Sequence, residues 1–131
     1  MKAVLDTNIY VDFAEGKQDI VDLLATQSTE ILLPAIVLGE LYYGFMKGSR
    51  SRYNEERLNR FLSTLKVSII SVDREVARKY AVIYLALTKK GIRIPINDVW
   101  IAASCMSVGG TLLTRDHHFE QVDQVEKIVL P

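Results

Sequence analysis

One cysteine, two adjacent histidines and no net charge in 131 residues exclude several function classes before any motif is read. Cys105 has no second cysteine to bridge, so no disulfide framework holds the chain, and its thiol is expected reduced in a cytosolic core. Neither cysteine pairs nor histidines at ligand spacing support zinc. Sixteen Lys and Arg against sixteen Asp and Glu rule out a uniformly basic nucleic-acid binder. No apolar run reads as a membrane span: Ile94 to Thr114 carries a single charge, but Asn97, Asp98, two serines and Gly109-Gly110 interrupt it. Met1 leads into a short strand-like segment broken by Asp6, which is not the pattern of a secretory signal, so the expected location is the cytoplasm. Repeats, low-complexity tracts and linkers are missing too. A single domain over residues 1–131 is expected, long enough to bury roughly 65–70% of its unfolded surface without staples.

What the chain does have is segregated charge. From Lys47 to Arg93 there are twelve basic residues against four acids, a net +8, which leaves −8 to the two ends together. Each Lys or Arg taken singly reads as a solvated helix face. The separation of sign suits an acidic centre bordered by a basic surface, which a metal-dependent phosphodiester enzyme requires.

The order of elements follows from periodicity and punctuation. Lys2 to Leu5 reads as a strand, and Asp6-Thr7-Asn8 supplies capping residues for the helix behind it. Asp19 to Ala25 has helical spacing, Glu30 to Leu33 is a second strand, and Pro34 suits the first position of a helix running to about Met46. A charged amphipathic helix over Tyr53 to Leu65 and a strand over Val67 to Ile70 follow. Asp73 caps a helix that continues to Lys90 and stops at Gly91. Another helix starts at Asn97 or Asp98 and ends at Gly109-Gly110, a pair suited to a left-handed cap. Thr111 to Thr114 and Lys127 to Leu130 are the last strands. Strands separated by helices need crossover connections, hence an α/β fold with a mostly parallel sheet covered on both faces.

Four acids stand where acids are rare. Glu40 is the only charge between Ile31 and Met46, and Asp98 the only one between Ile94 and Thr114. Asp6 follows Val4-Leu5 directly, and Asp116 follows Leu112-Leu113 after two residues. In a doubly wound fold the carboxyl ends of strands line the ligand crevice, which is where Asp6 and Asp116 are expected. Glu40 shares a helix face with Ile36 and Tyr43 and points inward if that face packs on the sheet. Asp98 belongs near a helix start, where the dipole favours an anion. Taken alone, Asp6, Asp98 and Asp116 each also read as capping or turn residues. Four acids converging on one crevice repel each other, and a divalent cation is the natural compensation. All-oxygen ligation suits Mg2+ or Mn2+.

Asp6-Thr7-Asn8, Glu40 in its apolar helix, Asn97-Asp98-Val99-Trp100-Ile101-Ala102-Ala103 and Thr114-Arg115-Asp116-His117-His118-Phe119 together resemble the motif set of PIN-domain ribonucleases. The chain is most similar to the VapC toxins of bacterial and archaeal toxin–antitoxin pairs. The resemblance covers nearly the whole chain in the right order. It implies a PIN-like, Rossmann-like three-layer α/β/α fold with a short sheet of about five strands. It also implies a metal-dependent endoribonuclease with one or two Mg2+ or Mn2+ ions, homodimerisation, and neutralisation by a small antitoxin. Carried over by position, Asp6, Glu40, Asp98 and Asp116 match the catalytic, metal-holding acids, with Thr7, Asn8 and Thr114 in supporting places. Some members carry a further acid near the position of Phe119, and this chain does not. Water attack leaving a 5′-phosphate and a 3′-hydroxyl is implied as well. Arg57, Arg60 and Lys89 from the basic middle are then candidates for guiding RNA to the acids.

The remaining conspicuous residues read as structure. Ser104 and Cys105 have no evident base and are assigned to packing, as are Trp100, Ala102 and Ala103. Tyr42, Tyr43 and Phe45 read as core or dimer contacts, and His117 and His118 as phosphate contacts or turn residues. Two alternatives to the nuclease stay open on the residues alone: a receiver-like signalling domain, which also gathers carboxylates and Mg2+, and a catalytically silent binding module of the same fold.

Overall fold

Short apolar strands alternate with helices along the chain, and the computed structural model, which describes residues 1–131, pairs those strands into one sheet. The elements are β1 (Lys2–Leu5), α1 (Thr7–Ala14), α2 (Gln18–Gln27), β2 (Glu30–Pro34), α3 (Ala35–Lys47), α4 (Ser51–Thr64), β3 (Ser68–Ile70), α5 (Arg74–Lys90), α6 (Ile96–Val108), β4 (Thr111–Thr114), a 3-10 turn (His117–Gln121) and β5 (Glu126–Val129). The strand order is β3-β2-β1-β4-β5 and every pairing is parallel, so the expectation of a mostly parallel sheet is exceeded. Helices flank the sheet, as right-handed crossovers between parallel strands demand.

β1 and β4 form the centre. Ala3, Val4, Leu5, Leu112 and Leu113 are fully buried, as strands covered on both faces should be. The register sets Leu5 beside Leu113, so Asp6, the first residue past β1, comes beside Thr114, the last residue of β4. From β1 the chain winds one way to β2 and β3, then crosses back to β4 on the other side. The gap above β1 and β4 is therefore the point where the winding reverses, and open parallel sheets bind ligands there.

Gly109 and Gly110 end α6 for two different reasons. Gly109 adopts a left-handed φ of 64°, which a side chain resists. Gly110 lies against β1, where an added Cβ meets the Val4 Cγ2 at 2.6 Å. Gly91 caps α5 with a φ of 70°.

Several boundaries move from the sequence reading. Pro34 is not the first helical residue but the last of β2, extended and paired with Ile70, and α3 starts behind it. Likewise α6 starts at Ile96, directly after the extended Pro95, so Asp98 is its third residue and not its cap. The 3-10 turn after β4 has no helical periodicity and is not visible in the pattern. Asp73 accepts from the Val76 amide as the cap of α5, behind an edge strand. A receiver-like domain needs an acid in the crevice after that strand, so this alternative falls.

Candidate functional site

The end of β1 turns directly into α1, and Asp6 is the residue at that turn, 5% exposed. One carboxylate oxygen, Oδ1, accepts from the Thr7 amide at 2.8 Å. The other accepts from the Thr114 hydroxyl at 2.6 Å and, more distantly, from Asn8 Nδ2 at 3.4 Å. The Thr114 hydroxyl in turn accepts from the Asp116 amide at 2.9 Å. One buried hydroxyl thus ties the turn after β4 to the end of β1. Asp116 caps the 3-10 turn through the His118 amide, again at 2.9 Å.

Asp98 approaches from the first turn of α6, where three apolar neighbours follow it into the core: Val99, Ile101 and Ala102 are 1%, 0% and 0% exposed. Its Oδ2 lies 3.3 Å from His118 Nδ1, and Asp116 Oδ1 lies 3.1 Å from the same nitrogen. Glu40 reaches the group from α3, accepting from the Thr7 hydroxyl at 2.7 Å and from Asn97 Nδ2 at 3.5 Å. The face it shares with Ile36 and Tyr43 is only partly packed: Val37 and Leu41 are the buried residues of α3, Ile36 is half-buried against the core, and Tyr43 is 66% exposed. Glu40 borders the crevice instead of pointing into the core.

The site's electrostatics are uncompensated. No Lys or Arg forms an ion pair with Asp6, Glu40, Asp98 or Asp116. Burial, then repulsion from Asp116 and Asp6, pushes the Asp98 carboxyl up to about 6 against the opposing pull of His118. Burial also raises Asp6, outweighing its hydrogen bonds from Thr114 and Thr7, and repulsion from Glu40 and Asp116 adds to it. Buried, mutually repelling carboxylates with no Lys or Arg to pair with make a donor set a divalent cation fits. Asp98, Asp116 and His118 each offer one ligand atom within 4.8 Å of the others.

The structure therefore brings Asp6, Glu40, Asp98 and Asp116 to one crevice, with Thr7, Asn8 and Thr114 among them. It does not unite the basic candidates. Arg57 and Arg60 line an apolar groove of about 370 Å³ between α1 and α4 with Tyr10, Phe13 and Phe61, and the Arg57 Nε there is buried without a partner. Lys89 stands apart from that groove, exposed in the last turn of α5. The packing assignments hold for Ser104 and Cys105. Ser104 bonds to the Trp100 carbonyl at 2.8 Å, and burial pushes the Cys105 thiol up to about 12. Trp100 stacks on Tyr80 at 3.9 Å.

Three features escaped the sequence reading. His118 touches two of the acids, a contact that depends on the 3-10 turn. Asn97 reaches Glu40 across two helices. Asp12, 6% exposed, pairs with Arg115 and Lys17. The one available signal was Asp12 itself, an acid between Val11 and Phe13 in a helix of mostly apolar residues.

Comparison with known proteins agrees with the geometry. The family described as the PIN domain matches residues 3–125. "Ribonuclease VapC2" of Rickettsia felis is 31% identical over 131 residues, covering 97% of this chain and 94% of the relative. "Ribonuclease VapC4" of Mycobacterium tuberculosis is 27% identical over 129 residues, covering 98% and 97%. The structure of VapBC2 from Rickettsia felis bound to a DNA fragment from its promoter superposes with a TM-score of 0.86 at 28% identity, covering 98% of each chain.

Proposed function

The chain belongs to the PIN-domain family, and from that premise we propose that residues 1–131 act as one metal-dependent endoribonuclease domain, the toxin of a toxin–antitoxin pair. The observation that carries this reading is the convergence of Asp6, Asp98 and Asp116, with Glu40 beside them, at the reversal point of the sheet without a single Lys or Arg among them. A structural role for these acids predicts partners that neutralise them. Their absence favours an external cation, Mg2+ or Mn2+.

Asp6, Asp98 and Asp116 would hold the cation, and Glu40 borders them. When bound it supplies Lewis acidity toward the phosphodiester and lowers the pKa of water at the site. The chain's own residues do the positioning. Thr114 holds the Asp6 carboxylate and the Asp116 backbone in one arrangement through a single hydroxyl. Thr7 and Asn97 orient Glu40 from either side. No side-chain nucleophile stands in the crevice, which favours attack by water and products with a 5′-phosphate and a 3′-hydroxyl. Such attack does not use the RNA 2′-hydroxyl, so RNA is selected by recognition and not by the chemistry. The relatives' names support RNA as substrate, a similar structure described as a member of the VapBC family of toxin–antitoxin systems supports an antitoxin as partner, and homodimerisation and a cytoplasmic location belong to the same reading. No helix is long and apolar enough to cross a membrane.

The test is cleavage of RNA by the purified protein with Mg2+ or Mn2+, with EDTA, and in Asp6→Asn and Asp98→Asn. EDTA and either substitution should each lower the rate at least a hundredfold while circular dichroism stays unchanged. Near-normal cleavage by both variants removes the site.

A further inference from the structure

His118 belongs to none of the four acidic positions, yet it is the side chain that two of them touch. Its backbone is fixed: Asp116 Oδ1 accepts from the His118 amide at 2.9 Å, and the next residue, Phe119, is fully buried and anchors the turn. Its ring nitrogen Nδ1 then lies 3.1 Å from Asp116 Oδ1 and 3.3 Å from Asp98 Oδ2. One ring nitrogen carries at most one hydrogen, so the two carboxylates cannot both receive a straight hydrogen bond from it. A metal ion satisfies all three atoms at once. Adjacent ligands of an octahedral ion with bonds of about 2.1–2.2 Å stand roughly 3.0–3.1 Å apart, close to the two distances from this nitrogen, and the three ligand atoms all lie within 4.8 Å of one another. The neighbouring His117 is differently placed, 74% exposed in its side chain, with Nδ1 paired to Glu120 at 3.0 Å.

We infer that His118 is a nitrogen ligand of the metal centre, and that the centre consequently selects Mn2+ over Mg2+. The inference rests on the metal-dependent reading above and adds to it a ligand and a preference. Mg2+ is a hard ion that favours oxygen and gives up its water reluctantly. Mn2+ shares the Mg2+ taste for carboxylate oxygen, but as a transition-metal ion it holds an imidazole nitrogen more firmly than Mg2+ does, so replacing one oxygen by nitrogen shifts the relative affinity toward it. Because the His118 side chain is 53% exposed, an ion reaches it without disturbing the core.

The experiment measures Mn2+ and Mg2+ binding to the tag-free protein by calorimetry and examines bound Mn2+ by pulsed electron paramagnetic resonance. Wild type should show coupling to a directly bound nitrogen-14. His118→Gln should lose that coupling and weaken Mn2+ binding about tenfold or more, a loss in the range seen when even the support of a metal ligand is removed. Its Mg2+ affinity should change less than about threefold, as the nitrogen contributes little to that ion. His118→Asp, which offers oxygen instead, should narrow the Mn2+ preference, and His117→Gln should match wild type. Bound Mn2+ without nitrogen coupling, or coupling that survives in His118→Gln, overturns the inference and leaves the nuclease reading standing. Absence of Mn2+ binding overturns both.

Discussion

Asp6 and Asp12 lie six residues apart on either side of the start of α1 and are equally hidden, 5% and 6% exposed, yet their carboxyls behave in opposite ways. Burial raises Asp6, and nothing nearby offsets it with positive charge. Burial raises Asp12 too, but hydrogen bonds from Arg115 and Lys17, together with their charges, outweigh it and leave that carboxyl below its ordinary value. Arg115 also reaches Asp19 at 3.1 Å and the Pro131 carbonyl, joining α1, α2 and the chain terminus. Asn8 sits between the two regions, accepting from the Arg115 amide at 3.3 Å while donating weakly to Asp6. The guanidinium one residue before Asp116 is thus turned away from the crevice and toward Asp12. Closely spaced acids of equal burial divide into a pair that holds the fold and a set left open for a cation.

The largest effect comes from breaking the compensated side. Arg115→Met strands Asp12 with only the half-exposed Lys17, and removing one partner of a buried ion pair costs about 3–5 kcal/mol. Because Lys17 remains and the Arg115 side chain is 23% exposed, the lower end of that range, about 3 kcal/mol, is expected in urea unfolding. Adding Asp12→Asn should recover at least half of the loss. A single variant within about 0.5 kcal/mol of wild type would place the pair among ordinary surface ion pairs and end the contrast.

A somewhat smaller effect sharpens the comparison through pH. Asp98 is raised from 3.8 to about 6, so between those values the native state of the metal-free protein binds more protons than the unfolded chain. Its stability contribution is complete below pH 3.8 and disappears as pH rises through about 6, a change of roughly 2–3 kcal/mol. Asp12 has the opposite sign: its contribution is present above the unfolded value and is lost as pH falls through its lowered native one. Unfolding in EDTA across pH 4 to 7 should therefore show a downward slope in wild type that Asp98→Asn flattens, leaving the variant at least as stable at pH 7. Parallel curves would show that Asp98 is not strained.

This division was half legible in the sequence. The open acids announced themselves because Glu40 and Asp98 are each the only charge in a long apolar stretch, and strand–helix alternation was enough to put Asp6 and Asp116 at strand ends. The orientation of Glu40 was not readable, since α3 is apolar on nearly every side up to Met46 and a 3.6-residue period selects no face there. The Asp12–Arg115 pair spans 103 residues and exists only because β1 and β4 are neighbours in the sheet. The His118 contacts needed a 3-10 turn that carries no periodic signal.

The smallest expected effect concerns how an open acid is held when no cation holds it. Glu40 is steadied by neutral donors, chiefly the Thr7 hydroxyl at 2.7 Å. Thr7→Val keeps the shape of the side chain and removes the donor, and because the contact is only part-buried, the loss of stability should be about 1 kcal/mol or less. The functional consequence should exceed the structural one, since a carboxylate freed to rotate at the rim of the crevice loses the placement that reaction geometry depends on. Thr7→Ser retains the hydroxyl and should retain cleavage, whereas Thr7→Val should lose several-fold in rate with little change in melting temperature. Equal cleavage by the two variants would mean that the hydroxyl merely satisfies a polar neighbour, and that Glu40 is oriented by Asn97 or by the bound ion instead.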